Sequence, residues 1–391
     1  MEIFFDSFLN LFAGPALGGV LPLRFLYLIL GTIIGLVLGV LPGLGGVVGL
    51  ALLLPFTFNM DPYMAFALMV AMTSVTTTSD TITSVFFAVP GSVGSSATIL
   101  DGHPMAKKGE AGRALGAAYM ASLLGGLIGA LMLFLAVPLL RPILMLFAAP
   151  EFLMLAVLGL VVVGSLTGDE PLKGLLAAAL GLTMGLVGME RFNGIPRWTF
   201  GELYLWDGIS VVVVGLGLFA IPEIIDMIIK GKSIADSDTK GARGGVLQGV
   251  VDVFRNWFLM LRCGLLGAFL GALPGIGVSL INWLAYGHAL QTEKGARDTF
   301  GKGDVRGVIA PESSNNAKEG GSLLPTLAFG IPGSPSAAIL LGGFIIHGIA
   351  PGPNMLTTNL DLTYTMIWAL VIANIVGTSL CLWSTNILVK I

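Results

Sequence analysis

Long apolar runs, separated by short polar stretches, follow one another along almost the whole chain. The runs cover residues 23–57, 62–100, 114–149, 151–166, 172–189, 208–230, 252–290, 307–346 and 363–389. An α-helix rises ~1.5 Å per residue and needs about 20 predominantly apolar residues to cross the hydrocarbon core of a bilayer. The pattern therefore predicts a polytopic, all-α integral membrane protein.

Several of these runs are too long for one crossing, and four of the long ones contain an internal Pro-Gly step. They are 23–57, 62–100, 252–290 and 307–346. Proline lacks a backbone N–H and glycine accepts most backbone conformations, so each step should end a helix. Lipid cannot satisfy the freed backbone groups, and such breaks persist only where protein or water surrounds them. The pattern predicts broken or re-entrant helices around a substrate or ion path.

The Pro-Gly steps belong to a repeated sequence. Residues 39–46, GVLPGLGG, match residues 271–278, GALPGIGV, at an offset of 232. The motif PGS at 90–92 matches 332–334 at an offset of 242. Because the matching blocks keep their order and nearly one offset, they indicate that the chain is a duplication of one unit.

Basic residues are distributed oppositely in the two halves. They are concentrated at 101–113 in the first half and at 288–306 in the second, whereas the counterparts of these loops, 347–360 and 55–62, contain no Lys or Arg. Basic loops remain cytoplasmic. The opposite distribution therefore predicts two inverted-topology repeats, an arrangement that places a binding site near the midplane between discontinuous helices.

These observations predict four regions. Residues 1–21 form an N-terminal segment without the basic start of a secretory signal, and we expect it to lie at the membrane interface. Residues 22–230 form the first transmembrane repeat and 231–250 a cytoplasmic linker. Residues 251–391 form a second transmembrane repeat that is shortened at its C-terminal end.

The composition excludes several classes of function. Of the 391 residues, 55% are hydrophobic and 11% are charged, and the formal net charge is −3. No basic patch is interleaved with aromatic residues, so nothing indicates nucleic-acid binding. Neither a GxSxG nor a Walker A motif occurs, which argues against a serine hydrolase and against self-contained ATP hydrolysis. The sequence shows no plausible pair of nucleophile and base and no metal cluster, so we expect no enzyme. We expect no cofactor and no bound metal apart from Na⁺. Either Na⁺ or H⁺ can serve as the coupling ion.

A polar stretch at residues 73–84 interrupts an apolar run and contains Asp80. A charged side chain at the centre of a bilayer costs ~2.5–3.5 kcal/mol on insertion scales, so Asp80 should face a cavity, a cation or a proton path. The alternatives are a hydroxyl face on a buried helix and an aspartate in a loop. The candidates for binding a coupling ion are Thr77, Ser79, Asp80, Gly321 and Ser322.

Amide side chains and exposed backbone at the Pro-Gly steps are candidates for binding an anion, because N–H donors bind carboxylates. For Asn315 and Asn316 the alternative role is that of a helix cap. The predicted substrate-binding residues are Pro42, Gly43, Gly45, Pro90, Gly91, Ser92, Pro274, Gly275, Gly277, Asn315, Asn316, Pro332, Gly333 and Ser334.

Several motifs resemble those of the large membrane subunit of the tripartite tricarboxylate transporter family. They are LPGLGG at 41–46, VPGS at 89–92, TILDGHPMAKKGEAGRAL at 98–115, GALPGIG at 271–277, the stretch at 300–334 that contains APESSNNA, and HGIAPGP at 347–353. The resemblance covers nearly the whole chain. Thr77–Asp80 departs from the Tyr-Gly-Gly-Ser-like stretch that is usual in the family.

The resemblance implies a multi-pass permease of the bacterial inner membrane that imports carboxylates such as citrate by secondary active transport. It further implies coupling to a Na⁺ or H⁺ gradient and two protein partners, a small membrane subunit and a periplasmic solute-binding protein. The alternative function is an ion channel or passive pore for small anions, because a pore also needs polar broken helices.

Overall fold

The computed structural model describes residues 2–13, 16–17, 21–41, 45–144, 171–189, 195–206, 208–209, 245–274, 276 and 278–388, with isolated positions between 150 and 229. Most of this backbone is helical. The strands in these ranges form two short antiparallel ribbons, β1 (Ala16–Leu17) with β2 (Leu21–Pro22) and β3 (Gly188–Met189) with β4 (Pro196–Arg197).

The described helices fall into two groups along the chain. The first group is α1 (Glu2–Asn10), α2 (Leu23–Val40), α3 (Gly46–Leu53), α4 (Pro62–Ser79), α5 (Thr81–Phe87), α6 (Ile99–Lys107), α7 (Ala111–Leu144) and α8 (Pro171–Gly185). The second group is α9 (Val246–Arg255), α10 (Trp257–Gly271), α11 (Val278–Thr292), α12 (Ala296–Thr299), α13 (Arg306–Phe329), α14 (Pro335–Ile346) and α15 (Leu360–Leu388). Short 3-10 turns occur at Leu54–Thr57, Val93–Ser95, Leu203–Leu205 and Pro353–Leu356.

Three helices in the described ranges are long and apolar enough to cross a membrane. They are α2, most of α7 (Ala111–Pro142) and most of α15 (Leu360–Thr385). Helices α9 and α10 satisfy the same criterion together, although the chain bends by 80° between them. The mostly helical structure and its several apolar helices agree with the predicted polytopic, all-α class.

All four Pro-Gly steps coincide with breaks between helices. The breaks lie between Val40 and Gly46, between Phe87 and Ile99, between Gly271 and Val278, and between Phe329 and Pro335. Pro42, Gly43, Gly275 and Gly277 themselves lie outside the described residues. The re-entrant course of these segments and the inverted orientation of the two repeats stay predictions.

Two further interruptions are not predicted by the sequence pattern. Helices α4 and α5 are separated at Asp80, inside the polar stretch, and α9 and α10 are separated by the bend at Asn256. Neither position contains proline or glycine. The positions of proline and glycine in the sequence therefore do not account for these two interruptions.

The duplicated sequences pack in the same way. Gly35 of α2 lies against the backbone of Met72 in α4, because a Cβ at Gly35 would be 2.9 Å from the Met72 Cα. Gly267 of α10 lies against Ser314 of α13, with a corresponding distance of 2.5 Å to the Ser314 Cα. The two glycines differ by 232 positions and the two facing residues by 242, which are the offsets found in the sequence.

Glycines also join α13 to two other helices at backbone distance. A Cβ at Gly125 of α7 would lie 2.8 Å from the carbonyl carbon of Ser313, and one at Gly321 of α13 would lie 3.0 Å from that of Ala268 in α10. Small residues permit such close approach between helices. Helices α7, α10 and α13 therefore form one tightly packed block.

The predicted N-terminal segment begins as helix α1, which packs against α15. The Trp368 Nε1–H donates a hydrogen bond of 2.8 Å to the Phe4 carbonyl oxygen, and the two rings stack with their centroids 4.6 Å apart. Most of the predicted linker, residues 231–244, lies outside the described residues. The four predicted regions and their boundaries stay predictions.

Candidate functional site

A cavity of about 640 Å³ lies where the Pro-Gly segments of both halves approach α4 and α13. Its walls include the turn before α3 and the start of α11. Residues of both PGS segments line it as well. The predicted binding residues among those that line it are Gly45, Thr77, Pro90, Gly91, Ser92 and Ser334. These six residues therefore share one cavity, and their binding roles stay predictions.

The two PGS segments have the same local conformation. The helix before each one ends in the left-handed region, at Ala88 with φ 54° and at Gly330 with φ 68°. Ser92 and Ser334 then cap the next helical turn, and their Oγ atoms accept hydrogen bonds from backbone N–H groups at 3.1 and 3.2 Å. Serine is favoured at such caps because its side chain satisfies an N–H without a helical partner. Ala88 holds a conformation that favours glycine.

Asp80 is fully buried at the break between α4 and α5, so it is not an aspartate in an exposed loop. Its Oδ2 accepts a hydrogen bond from the Ser92 hydroxyl. Its Oδ1 is buried and has no hydrogen-bond donor in the described part of the chain. A buried carboxylate oxygen without a donor is costly, so Asp80 is the residue of this stretch that most needs a functional explanation.

Asn315 and Asn316 lie inside α13 and are buried, which excludes the alternative role of helix caps. Asn315 Nδ2 donates to the Thr77 carbonyl oxygen at 3.3 Å, and Asn316 Nδ2 donates to Thr78 Oγ1 at 2.7 Å and to Asn374 Oδ1 at 2.9 Å. Both Oδ1 atoms lack a donor within the described structure. The two amides join α13 to α4 behind the cavity and do not line it.

The other candidates for a coupling ion are less closely grouped than the prediction implies. The Ser79 hydroxyl donates to two carbonyl oxygens of α4, with its Oγ 3.4 and 3.5 Å away from them. This contact agrees with the alternative in which Ser79 belongs to a hydroxyl face of a buried helix. Gly321 packs against α10. Ser322 lines a second, water-sized hollow of about 10 Å³ together with Glu319 and Ser334.

Besides Asn315 and Asn316, three further predicted substrate-binding residues with described positions do not line the large cavity: Pro274, Pro332 and Gly333. Gly333 instead lies against the backbone of Ser322, since a Cβ there would be 2.6 Å from the Ser322 oxygen. Its function in the fold is to let the PGS segment approach α13.

Three charged residues of α13 were not predicted as site residues. Lys318 and Glu319 line the cavity, and Lys318 Nζ lies 2.5 Å from Glu319 Oε1. Glu312 is fully buried and accepts hydrogen bonds from Thr98 Oγ1 at 2.6 Å and Ser122 Oγ at 3.0 Å. A charged side chain within the membrane is costly, and this argument applies to Glu312, Lys318 and Glu319 as well as to Asp80. It therefore identifies all three residues from the sequence.

The described residues contain no group of three or more His, Cys, Asp or Glu side chains that could hold a metal ion. An alkali cation does not need such a group, since carboxylate, amide and backbone oxygens bind Na⁺ in transporters. The site is therefore built from hydroxyls, amides, backbone and a few buried charges.

Comparison with known proteins gives the family. A family model described as the tripartite tricarboxylate transporter TctA family matches residues 25–391. The chain belongs to the TctA family. As a member of this transporter family it is a subunit of a membrane transporter, and the predicted family resemblance is confirmed. The tripartite organisation of the family implies two partners, a small membrane subunit and a periplasmic binding protein.

Two relatives come from Agrobacterium vitis. One, described as an uncharacterized 52.8 kDa protein in the TAR-I ttuC' 3' region, is 33% identical over 364 residues, which cover 90% of this chain and 70% of the relative. The other, from the TAR-II ttuC' 3' region, is 38% identical over 109 residues, which cover 28% of this chain and 45% of the relative. No solved structure matches the chain.

Proposed function

We propose that the chain is the permease subunit of a secondary active transporter for small carboxylates in the bacterial inner membrane. A periplasmic binding protein delivers the anion, a small membrane subunit completes the complex, and a Na⁺ or H⁺ gradient supplies the energy. The family description supports the transporter and its tricarboxylate class. The coupling ion, the individual substrate and the partners are part of the proposal.

The observation that carries this proposal is the cavity between the two halves. Its volume of about 640 Å³ is in the range of small-molecule sites. Backbone of the turns at Gly45 and Gly91 lines it together with hydroxyl groups and the ammonium group of Lys318. These are the groups that hydrogen-bond and neutralise a carboxylate.

The charges around the cavity support coupling to a cation. Asp80, Glu312 and Glu319 contribute three carboxyl groups, whereas Lys318 contributes one ammonium group. Because Lys318 and Glu319 at the cavity wall already neutralise one another, a carboxylate that entered would bring a negative charge without a counter-charge. Since unpaired charge is expensive in a low-dielectric environment, we infer that cations enter together with the anion.

Asp80 and Asn315 are the residues that we assign to the cation. Within the described residues, Asp80 Oδ1 and Asn315 Oδ1 are both buried oxygens without a hydrogen-bond donor. Oxygen atoms from carboxylates, amides and broken helices bind Na⁺ in transporters. The sequence already predicts Asp80 as a ligand of the coupling ion. Asn315, which the sequence predicts to bind the substrate, is here assigned to the cation instead.

Reconstitution tests the proposal. The purified complex with both partners is placed in liposomes, and citrate uptake is followed under an imposed Na⁺ gradient, an imposed pH gradient, or neither. We expect saturable uptake that requires one of the gradients. Uptake that persists after both gradients are collapsed, or that does not saturate, would instead indicate a passive pore.

A further inference from the structure

Lys318 and Glu319 are neighbours in α13 and form an ion pair at the wall of the cavity. Lys318 Nζ lies 2.5 Å from Glu319 Oε1, and the two side chains are only 4% and 14% exposed. Among the described residues that line the cavity, Lys318 is the one cation and Glu319 the one carboxylate. The group best suited to bind an anion is thus already paired.

We propose that Lys318 binds a carboxylate group of the transported anion, and that Glu319 is an internal substitute which occupies Lys318 until the anion arrives. The inference rests on the proposed function and names the residue that recognises the substrate. The anion displaces the Glu319 carboxylate, so one ammonium–carboxylate pair is exchanged for another.

The exchange avoids an unpaired buried charge. Removing one partner from a buried ion pair is strongly unfavourable, because the remaining charge stays desolvated. Glu319 also lines the water-sized hollow of about 10 Å³, together with the hydroxyl-bearing residues Thr73, Ser322, Ser334 and Ser336. Hydroxyl groups donate hydrogen bonds to a carboxylate. The hydroxyls of Thr73 and Ser322 now donate to backbone oxygens of their own helices. By rotating, they can become donors to the displaced Glu319 carboxylate, which shares this hollow with them.

The backbone that carries Lys318 is held in place. A Cβ at Gly271 of α10 would lie 2.7 Å from the Lys318 carbonyl oxygen and 2.8 Å from its Cα, so α10 and α13 are in direct contact at this residue. The exchange must consequently occur by rotation of side chains. The α13 backbone thus holds Lys318 at one position, while the Glu319 side chain can rotate away. Such fixed placement suits a residue that positions a substrate.

Citrate binding to the purified chain in nanodiscs, measured by calorimetry at fixed Na⁺ concentration and pH, tests the inference. We expect Lys318→Gln to weaken binding by about 30-fold or more, as for loss of one partner of a buried charge pair, and Lys318→Arg to restore much of the affinity. Glu319→Gln should bind citrate about tenfold more tightly, because the internal competitor is gone.

Three controls separate displacement from a general change of charge. Glu202→Gln, on an exposed position far along the chain, should leave the dissociation constant unchanged. Glu312→Gln removes the same charge from a buried residue that interacts electrostatically with Lys318 but makes its hydrogen bonds elsewhere. We expect a smaller gain in affinity from Glu312→Gln than from Glu319→Gln. Glu319→Asp shortens the competing side chain and should also bind citrate more tightly than the wild type.

The outcomes are distinguishable. If the wild type takes up carboxylate but neither Glu319→Gln nor Glu319→Asp binds citrate more tightly, the displacement of Glu319 is refuted and the transport function stands. An equal gain from Glu312→Gln and Glu319→Gln would also refute it, since charge alone would then account for the effect. If wild-type complex shows neither binding nor uptake of any di- or tricarboxylate, the proposed function itself fails.

Discussion

Asp101 accepts two backbone hydrogen bonds on one oxygen, from the N–H groups of Gly303 at 2.9 Å and Asp304 at 2.8 Å. Its other oxygen accepts the Tyr286 hydroxyl at 2.9 Å. Asp101 itself is fully buried. One carboxylate thus joins the two basic loops that the sequence predicts to lie on the cytoplasmic side, although they are about 200 residues apart.

Replacing this carboxylate should destabilise the protein. Asp101→Ala leaves two backbone N–H groups without an acceptor, at a cost of ~1–3 kcal/mol for each. Tyr286→Phe removes one hydroxyl and should have a smaller effect. Thermal unfolding in one detergent measures both variants, and equal melting temperatures for Asp101→Ala and wild type would contradict the expectation.

Asp80→Asn and Asn315→Ala should impair uptake without preventing membrane insertion. If these residues bind the coupling cation, the concentration of that cation needed for half-maximal uptake should rise about tenfold, equivalent to ~1.4 kcal/mol. Uptake in liposomes at graded Na⁺ concentration and graded pH measures the change. Asp6→Asn, at an exposed aspartate of α1, is the matched control. Wild-type uptake and cation dependence in both variants would remove the assignment.

Gly91→Ala and Gly333→Ala should each destabilise the fold. A Cβ at either position would lie 2.6 Å from a backbone oxygen, that of Asp80 or that of Ser322. Because backbone atoms cannot rotate away, we expect a cost of ~1–3 kcal/mol, as for overpacking. The lower melting temperature should be accompanied by reduced uptake, since both residues position the PGS segments.

Gly287→Ala is the control for these two variants. Gly287 lies inside α11, and an added Cβ would meet nothing within 4 Å. Alanine is the better helix former, so we expect an unchanged or slightly higher melting temperature. A loss of stability comparable to that of Gly91→Ala would show that the close approach of the PGS segments is not the cause.

Asp304 should contribute to stability in a way that depends on pH. Burial raises the pKa of this carboxyl group, but hydrogen bonds from Arg306 and Thr299 outweigh burial and hold the pKa below its usual value. A carboxyl group whose pKa is lower in the folded than in the unfolded protein stabilises the fold at any pH above the unfolded-state pKa. This stabilisation is lost as the pH falls through the folded-state pKa. The melting temperatures of wild type and Asp304→Asn should therefore differ at pH 7, begin to converge as the pH falls below about 4, and meet only below the folded-state pKa.

Asp298→Asn provides the comparison for the pH series, because Asp298 is exposed in the same loop region. Its melting temperature should follow that of the wild type across the whole range. A difference between wild type and Asp304→Asn that does not change with pH would assign the effect to packing and not to ionisation.

The sequence predicts those features that depend on local backbone chemistry. Helices end before and begin after each Pro-Gly step, and the repeat offsets reappear in the contacts of Gly35 and Gly267. The burial of Asp80 follows from the apolar sequence on either side of its polar stretch. These predictions succeed because missing donors, glycine conformations and desolvation act within a few residues.

The features that the sequence does not predict depend on distant contacts. Glu312 is bound by Thr98 and Ser122, which are 214 and 190 positions away. The bend at Asn256 has no local cause in proline or glycine. Lys318 and Glu319 stand in a polar stretch and resemble ordinary helix-surface charges until α10 and the PGS segments are seen to enclose them.

The contacts of α13 through Gly125, Gly267 and Gly321 limit how the substrate can change sides. Where main chain meets main chain, no layer of side chains can repack to let one helix slide along another. The packed block of α7, α10 and α13 therefore moves as a rigid body, and it carries Glu312, Asn315 and Lys318 together. If the proposed transport function holds, we expect access to the two compartments to alternate through the short segments that follow Ala88 and Gly330, where the preceding helices end in the left-handed region. A conformational lock at either residue should then arrest the transport cycle.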